Sequence, residues 1–155
     1  MPNTTIAAIR LALRNTMEGT TPLTTVDPMG SSRYVFNTGN LDGDASADMD
    51  REFCFDQFSP GAQTMFGTDT ESDYQGTLKM RIAHVVVDGD VEASRTRADS
   101  DIGQLRRVIE KVTNYPTAVS RIQLQDVSQR SVTVADAEFI ESTLTFQVSY
   151  TLAAV

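Results

Sequence analysis

Apolar side chains recur along this chain with two periods, and the change from one to the other marks its elements. Ile6, Ile9, Leu13 and Met17 stand at steps of three and four, which puts them on one face of an opening helix while Arg10 and Arg14 share another. Asn3 to Thr5 supply capping oxygens before that helix, and Gly19 ends it. Thr20 to Ser32 contains Pro22, Pro28 and Gly30 and reads as a connecting loop. Arg33 to Asn37 is a short strand through Tyr34, Val35 and Phe36. Phe53 to Phe58 is a second, with Phe53 and Phe55 on one side and Cys54 and Phe58 on the other. The polar segments 37–52 and 59–76 exceed the roughly 12 to 15 residues usual for a connection, so protein contacts made by loops are expected.

Leu78, Met80, Ile82, His84 and Val86 then alternate with Lys79 and Arg81 before the run turns uniformly apolar through Val87, as in a strand at the centre of a sheet. Asp88-Gly89 is a hairpin signal that leads the chain back through Asp90 to Ala93. A second helix is predicted over Ile102 to Thr113: Asp101 and Gln104 have the spacing of a capping box, and Ile102, Leu105, Ile109 and Val112 form its apolar face. Asn114-Tyr115-Pro116 stops it. Strands follow at Arg121 to Val127, at Ser131 to Ala135 and from Ile140 to Leu152. In the last, Ile140, Leu144, Phe146, Val148, Tyr150 and Leu152 share one face, interrupted by Ser142, while Glu141, Thr143, Thr145, Gln147, Ser149 and Thr151 share the other. These elements predict one α+β domain over residues 1–155, with an antiparallel or mixed sheet, two helices packed on one of its faces and long loops between the early strands.

A length of 155 residues with 40% hydrophobic side chains suffices for one layered core. The net charge of -8 argues against a surface that wraps nucleic acid, because such binding depends on Lys and Arg displacing counterions from phosphates. Eleven of the basic residues are Arg and two are Lys, and fourteen Asp stand against seven Glu. No run approaches the roughly 18 apolar residues of a membrane helix. Met1 to Thr5 lacks the basic region and apolar core of a secretion signal, so folding in a cytoplasm is expected.

Candidate chemistry is sparse. Cys54 and His84 are the single cysteine and histidine, which leaves no intrachain disulfide and too few ligands for an ordinary structural zinc site. Cys54 lies between Phe53 and Phe55 and reads as a buried structural cysteine rather than a nucleophile, and His84 as a packed or interface histidine. Asn40, Asp42 and Asp44 alternate, with Asp48 four residues on, in the manner of a calcium loop. Ala45 replaces the turn glycine, however, and Arg51 the bidentate glutamate, so a solvated or partner-facing acidic loop is the stronger reading than a looser cation site. Asp99 and Asp101 are explained as helix-capping residues. No catalytic residue, cofactor or metal ligand is assigned. Arg10, Arg14, Arg106 and Arg107 are instead candidates to complement an Asp-rich loop of a neighbouring copy, which would present Asp42, Asp44, Asp48 and Asp50.

Four features together resemble the tail terminator proteins of long-tailed bacteriophages and related viruses: the opening helix with Ile6-Ala7-Ala8-Ile9-Arg10, strands separated by long loops, the mid-chain helix from Ile102, and the alternating strand Leu144-Thr145-Phe146-Gln147-Val148-Ser149-Tyr150. The resemblance covers nearly the whole chain and rests on architecture, since that family has no sharp signature motif. It implies a structural virion subunit, not an enzyme, assembled in the host cytoplasm. The subunit would form a ring of identical copies, usually six, that caps the tail tube and ends its growth. Its implied partners are the tail-tube protein on one side and a head-completion or neck protein on the other, with DNA passing through the lumen without specific binding. A tail-tube subunit or another neck protein would share the same pattern.

Overall fold

The computed structural model describes residues 6–23, 33–37, 50–56, 58–59, 71–115, 119–134 and 136–153. The expected caps at Asn3 to Thr5 and the acidic positions Asp42, Asp44 and Asp48 lie outside the described residues. Helix α1 (Ile6–Glu18) forms where the three- and four-residue steps place it, with Ile9, Leu13 and Met17 buried. Beyond Gly19 the Thr20 hydroxyl donates to Thr16 O at 2.7 Å, satisfying one of the last helical carbonyls.

Strands β1 (Val35–Phe36), β2 (Glu52–Phe55) and β3 (Glu71–Val85) follow, then α2 (Val91–Ile109), a 3-10 turn at Val112–Asn114, and strands β4 (Val119–Val134) and β5 (Ala137–Ala153). The five strands lie in the order β1-β2-β3-β5-β4. β1 and β2 run parallel and the remaining pairs antiparallel, so the fold is α+β with a mixed sheet. β3 is central, as its apolar run implied. Both helices pack on one face. Ile9, Leu13 and Met17 of α1 and Ile102, Leu105 and Ile109 of α2 share a cluster with Leu78, Met80 and Ile82 of β3 and Leu144, Phe146, Val148 and Tyr150 of β5. A smaller apolar cluster of Cys54, Ala83, Val85 and Phe139 occupies the opposite face.

Several boundaries differ from the sequence expectation, each for a physical reason. The Asp88-Gly89 turn exists, with φ of 53° and 70°, but it leads into a helix and not a returning strand. Asp90 caps α2 by accepting from Ala93 N at 3.1 Å, and the helix begins at Val91 instead of Ile102. Its first half was hidden because the inward positions Ser94, Arg97 and Asp101 are polar. Asp101 is therefore not a cap but a fully buried mid-helix residue. The stretch 71–76, expected as loop, is the start of β3, and its residues pair with β5 from Ala153 to Val148.

β2 ends at Phe55, and Phe58 turns into the main core and not toward the side of Cys54. Its ring occupies the space over Gly76, where an added Cβ would lie 2.4 Å from Phe58 Cζ. The two strands expected at 121–127 and 131–135 are one continuous β4, because an edge strand in solvent needs no apolar alternation. β5 lies between β3 and β4, so the terminal strand is interior.

Two core substitutions test this packing in opposite directions. Phe146, 1% exposed, faces Leu78 across the sheet, and Phe146→Asp is expected to abolish the cooperative thermal transition seen by circular dichroism. Ser142 is fully buried and its hydroxyl has no hydrogen-bond partner among the described residues. Ser142→Ala removes an unsatisfied polar group and is expected to leave stability unchanged or raise it by about 1 kcal/mol in urea unfolding. A folded Phe146→Asp protein, or a strongly destabilised Ser142→Ala protein, would contradict the core assignment.

Candidate functional site

The most unusual chemistry of the chain lies in its interior, where the segment entering β2 meets α2. Asp50 and Arg51 are consecutive and oppositely charged, and Arg97 and Asp101 stand one helical turn apart with opposite charges of their own. The pairs cross. Arg97 donates to both carboxylate oxygens of Asp50, at 2.8 and 2.9 Å, and Arg51 donates to both oxygens of Asp101, at 2.6 and 3.1 Å. In a regular strand consecutive side chains point to opposite faces. Arg51 has a φ of 56°, and this left-handed residue breaks the alternation so that both side chains reach α2.

The end of β3 is drawn into the same network. Val85 N donates to Asp50 at 3.0 Å, and Val85 O accepts from Arg97 and from the Ser94 hydroxyl, each at 3.0 Å. His84 Nε2 lies 2.7 Å from Asp101, while its Nδ1 is buried without a hydrogen-bond partner among the described residues. Gln104, expected in a capping box, links elements instead: it accepts from the Tyr34 hydroxyl at 3.1 Å and donates to Thr21 O at 2.7 Å. Burial pushes the Asp101 carboxyl up, but hydrogen bonds from His84 and Arg51, and their charges, pull it further the other way. Its net position is below the usual carboxylate range. Burial, with the Asp101 charge nearby, pushes the Tyr34 phenol well above its ordinary value.

The sequence-derived interface residues fall in different places. Asp50, expected to face a partner, is 2% exposed and held by Arg97 inside the subunit, so it is not part of a displayed acidic surface. Arg10 and Arg14 line a groove of about 330 Å³ between α1 and the β1–β2 edge, together with Leu11, Phe36, Asn37 and Phe55. Arg14 stacks its guanidinium 4.4 Å over the Phe36 ring and bonds Glu18, and the buried Nε of Arg10 has no hydrogen-bond partner among the described residues. Leu11, 56% exposed, stands at the same groove. Arg106 and Arg107 are exposed at the C-terminal end of α2, where Arg106 bonds Glu110, and they do not line that groove.

Cys54 pairs with Arg81, and His84 stands on the face of Ile82, so the sheet separates the thiol from the imidazole and the two cannot act as a nucleophile and base. On the face of Cys54, Arg81 bridges Asp56 at 3.0 Å and Glu141 at 3.7 Å, and Glu141 also holds Arg130 at 2.9 Å. Compared with known proteins, the chain matches no protein-family model and no curated sequence. Sequence reasoning missed Arg51, Arg97 and Asp101 as a unit. The available signal was the pairing of an adjacent Asp-Arg with an Arg and Asp at helical spacing in a helix short of aliphatic residues.

Removing one member of a buried pair leaves the other charge uncompensated, so Asp101→Asn is expected to cost about 3 to 5 kcal/mol in urea unfolding at pH 7. Because the folded-state pKa of Asp101 is depressed, its contribution is complete above the unfolded carboxylate value of about 4 and is lost as pH falls through the folded value. The stability gap between wild type and Asp101→Asn is therefore expected to shrink as unfolding is measured from pH 5 toward pH 2. A gap that stays constant over that range would contradict the assignment.

Proposed function

We propose that this chain is a structural virion protein of the tail terminator kind: six copies form a closed ring that caps the tail tube, ends its growth and joins the tail to the head-neck connector. The features that support it most are a groove and a sequence segment of opposite charge in one chain. A basic, partly apolar groove with Arg10, Arg14 and Leu11 sits on a protein of net charge -8. A run of acidic residues without a basic one, Asp42, Asp44 and Asp48, lies in a separate segment whose downstream end is fixed by Asp50 and Arg51. Unlike surfaces that meet head to tail generate a ring when the rotation closes.

The mechanism is geometric. Acidic residues of one copy enter the basic groove of the next, one rim of the ring seats on the last layer of tail-tube protein, and the other rim receives a head-completion or neck protein. An overall negative charge lets DNA traverse the lumen by weak repulsion instead of binding. The protein acts in the virion after assembly in the host cytoplasm. No chemical step is required of it.

Native mass spectrometry and negative-stain microscopy of the purified protein test this reading. Closed hexameric rings are expected. Arg10→Glu with Arg14→Glu, or neutralisation of Asp42, Asp44 and Asp48 to Asn, is expected to leave a folded subunit that forms no ring. Open stacks of rings would assign the tail-tube role instead, and a protein that stays monomeric at high concentration and on purified tails would overturn the proposal.

A further inference from the structure

β4 closes one side of the sheet, and no strand lies beyond it among the described residues. Its outer edge differs along its length. Near its start the Tyr115 hydroxyl lies 3.1 Å from Ile122 O, and Glu110 accepts from Leu124 N at 2.8 Å, so the C-terminal end of α2 covers the edge there. A β-bulge between Leu124 and Asp126 ends that protected part. From Asp126 to Thr133 the register with β5 runs unbroken, and every residue except the half-buried Gln129 and Val132 is exposed. This half carries neither the Pro nor the Lys that commonly keeps an edge from pairing.

The charges on this half select the strand that fits it. Asp126 and Arg130 point to the same face, that of their β5 partners Thr145 and Glu141, with Ser128 midway between them. Glu141 bonds Arg130 at 2.9 Å and holds its guanidinium on that face while the side chain stays 62% exposed. If two copies of this edge meet antiparallel about a two-fold axis through Ser128, Asp126 of each falls opposite Arg130 of the other, and both cross-strand pairs are attractive.

We infer that the open half of β4 is a self-recognition edge, on which a second copy of this chain pairs its own β4 antiparallel in register about Ser128. The two five-stranded sheets become one continuous sheet. Such a contact is isologous and closes at two copies. It is therefore distinct from the head-to-tail ring contact proposed above and does not depend on it.

The test is sedimentation equilibrium at low salt on wild type, Asp126→Arg, Arg130→Asp, an equimolar mixture of the two variants, and the Asp126→Arg/Arg130→Asp double variant, with thermal melts to show that each folds. Wild type is expected to associate in twos, as pairs of single chains or, where rings form, as pairs of rings. Each single substitution places like charges opposite each other twice per dimer and is expected to raise the dimer Kd about tenfold or more. In the mixture and in the double variant every facing pair is again opposite in sign, and wild-type affinity should return. Should the variants that carry Arg130→Asp fail to fold, Asp126→Arg alone decides the matter. A wild type that is monomeric up to about 0.5 mM, single variants that dimerise like wild type, or a folded double variant that does not recover would each overturn the inference. Rings indifferent to these substitutions would leave the ring reading intact and remove this one.

Discussion

Two arginine–aspartate pairs crossed between the entry to β2 and the first half of α2 hold the architecture in place. Without them the inward face of α2 at Arg97 and Asp101 would bring uncompensated charge onto the sheet. With them, that half of the helix is bonded to the segment entering β2 and to the end of β3. The same residues fix the backbone of the early strands, since Arg51 N donates to Ala83 O at 2.7 Å and Arg51 O accepts from Val35 N at 3.1 Å. Buried ion pairs contribute little net stability relative to an apolar core, because desolvation offsets most of their attraction. What this arrangement supplies is a single permitted alignment: exchanging the two partners, or sliding the helix by one residue, leaves like charges or bare charges in contact.

This is also where sequence and structure part. The outline was legible in α1, in the centre of β3 and in β5, where apolar periodicity and burial coincide: Ile9, Leu13 and Met17, then Leu78, Met80 and Ile82, then Leu144, Phe146 and Val148 are all interior. The same rule failed wherever the interior is polar or the strand is exposed. Ser94, Arg97 and Asp101 kept the first half of α2 from reading as a helix, and the partners that make them acceptable lie outside it, at Val85 just upstream and far away in sequence at Asp50 and Arg51. β4 read as two strands because Ser128, Gln129 and Arg130 give no alternation, yet hydrogen bonding to β5 carries it through. Of the candidate site, Arg10 and Arg14 could be placed together from helical spacing, and the structure puts both at one groove. Asp50 could not be told from its acidic neighbours by composition.

The clamp and the groove bracket the acidic stretch at residues 38–49. Asn37, at one end of it, lines the basic groove, and Asp50, at the other, is locked to Arg97. The residues that flank this acidic segment are therefore both held in described parts of the chain. The sheet face away from the helices carries, beside the small Cys54 cluster, the ion-pair chain from Asp56 through Arg81 and Glu141 to Arg130.

The claim on which this account rests is that the crossed pairs act as specific partners and not as four independently buried charges. A double-mutant cycle on Arg51→Met and Asp101→Leu, read by urea unfolding at pH 7, measures that directly. Each single variant should lose several kcal/mol, and the double variant should lose far less than their sum, with a coupling energy of about 2 kcal/mol or more. Additive losses, with coupling near zero, would contradict it.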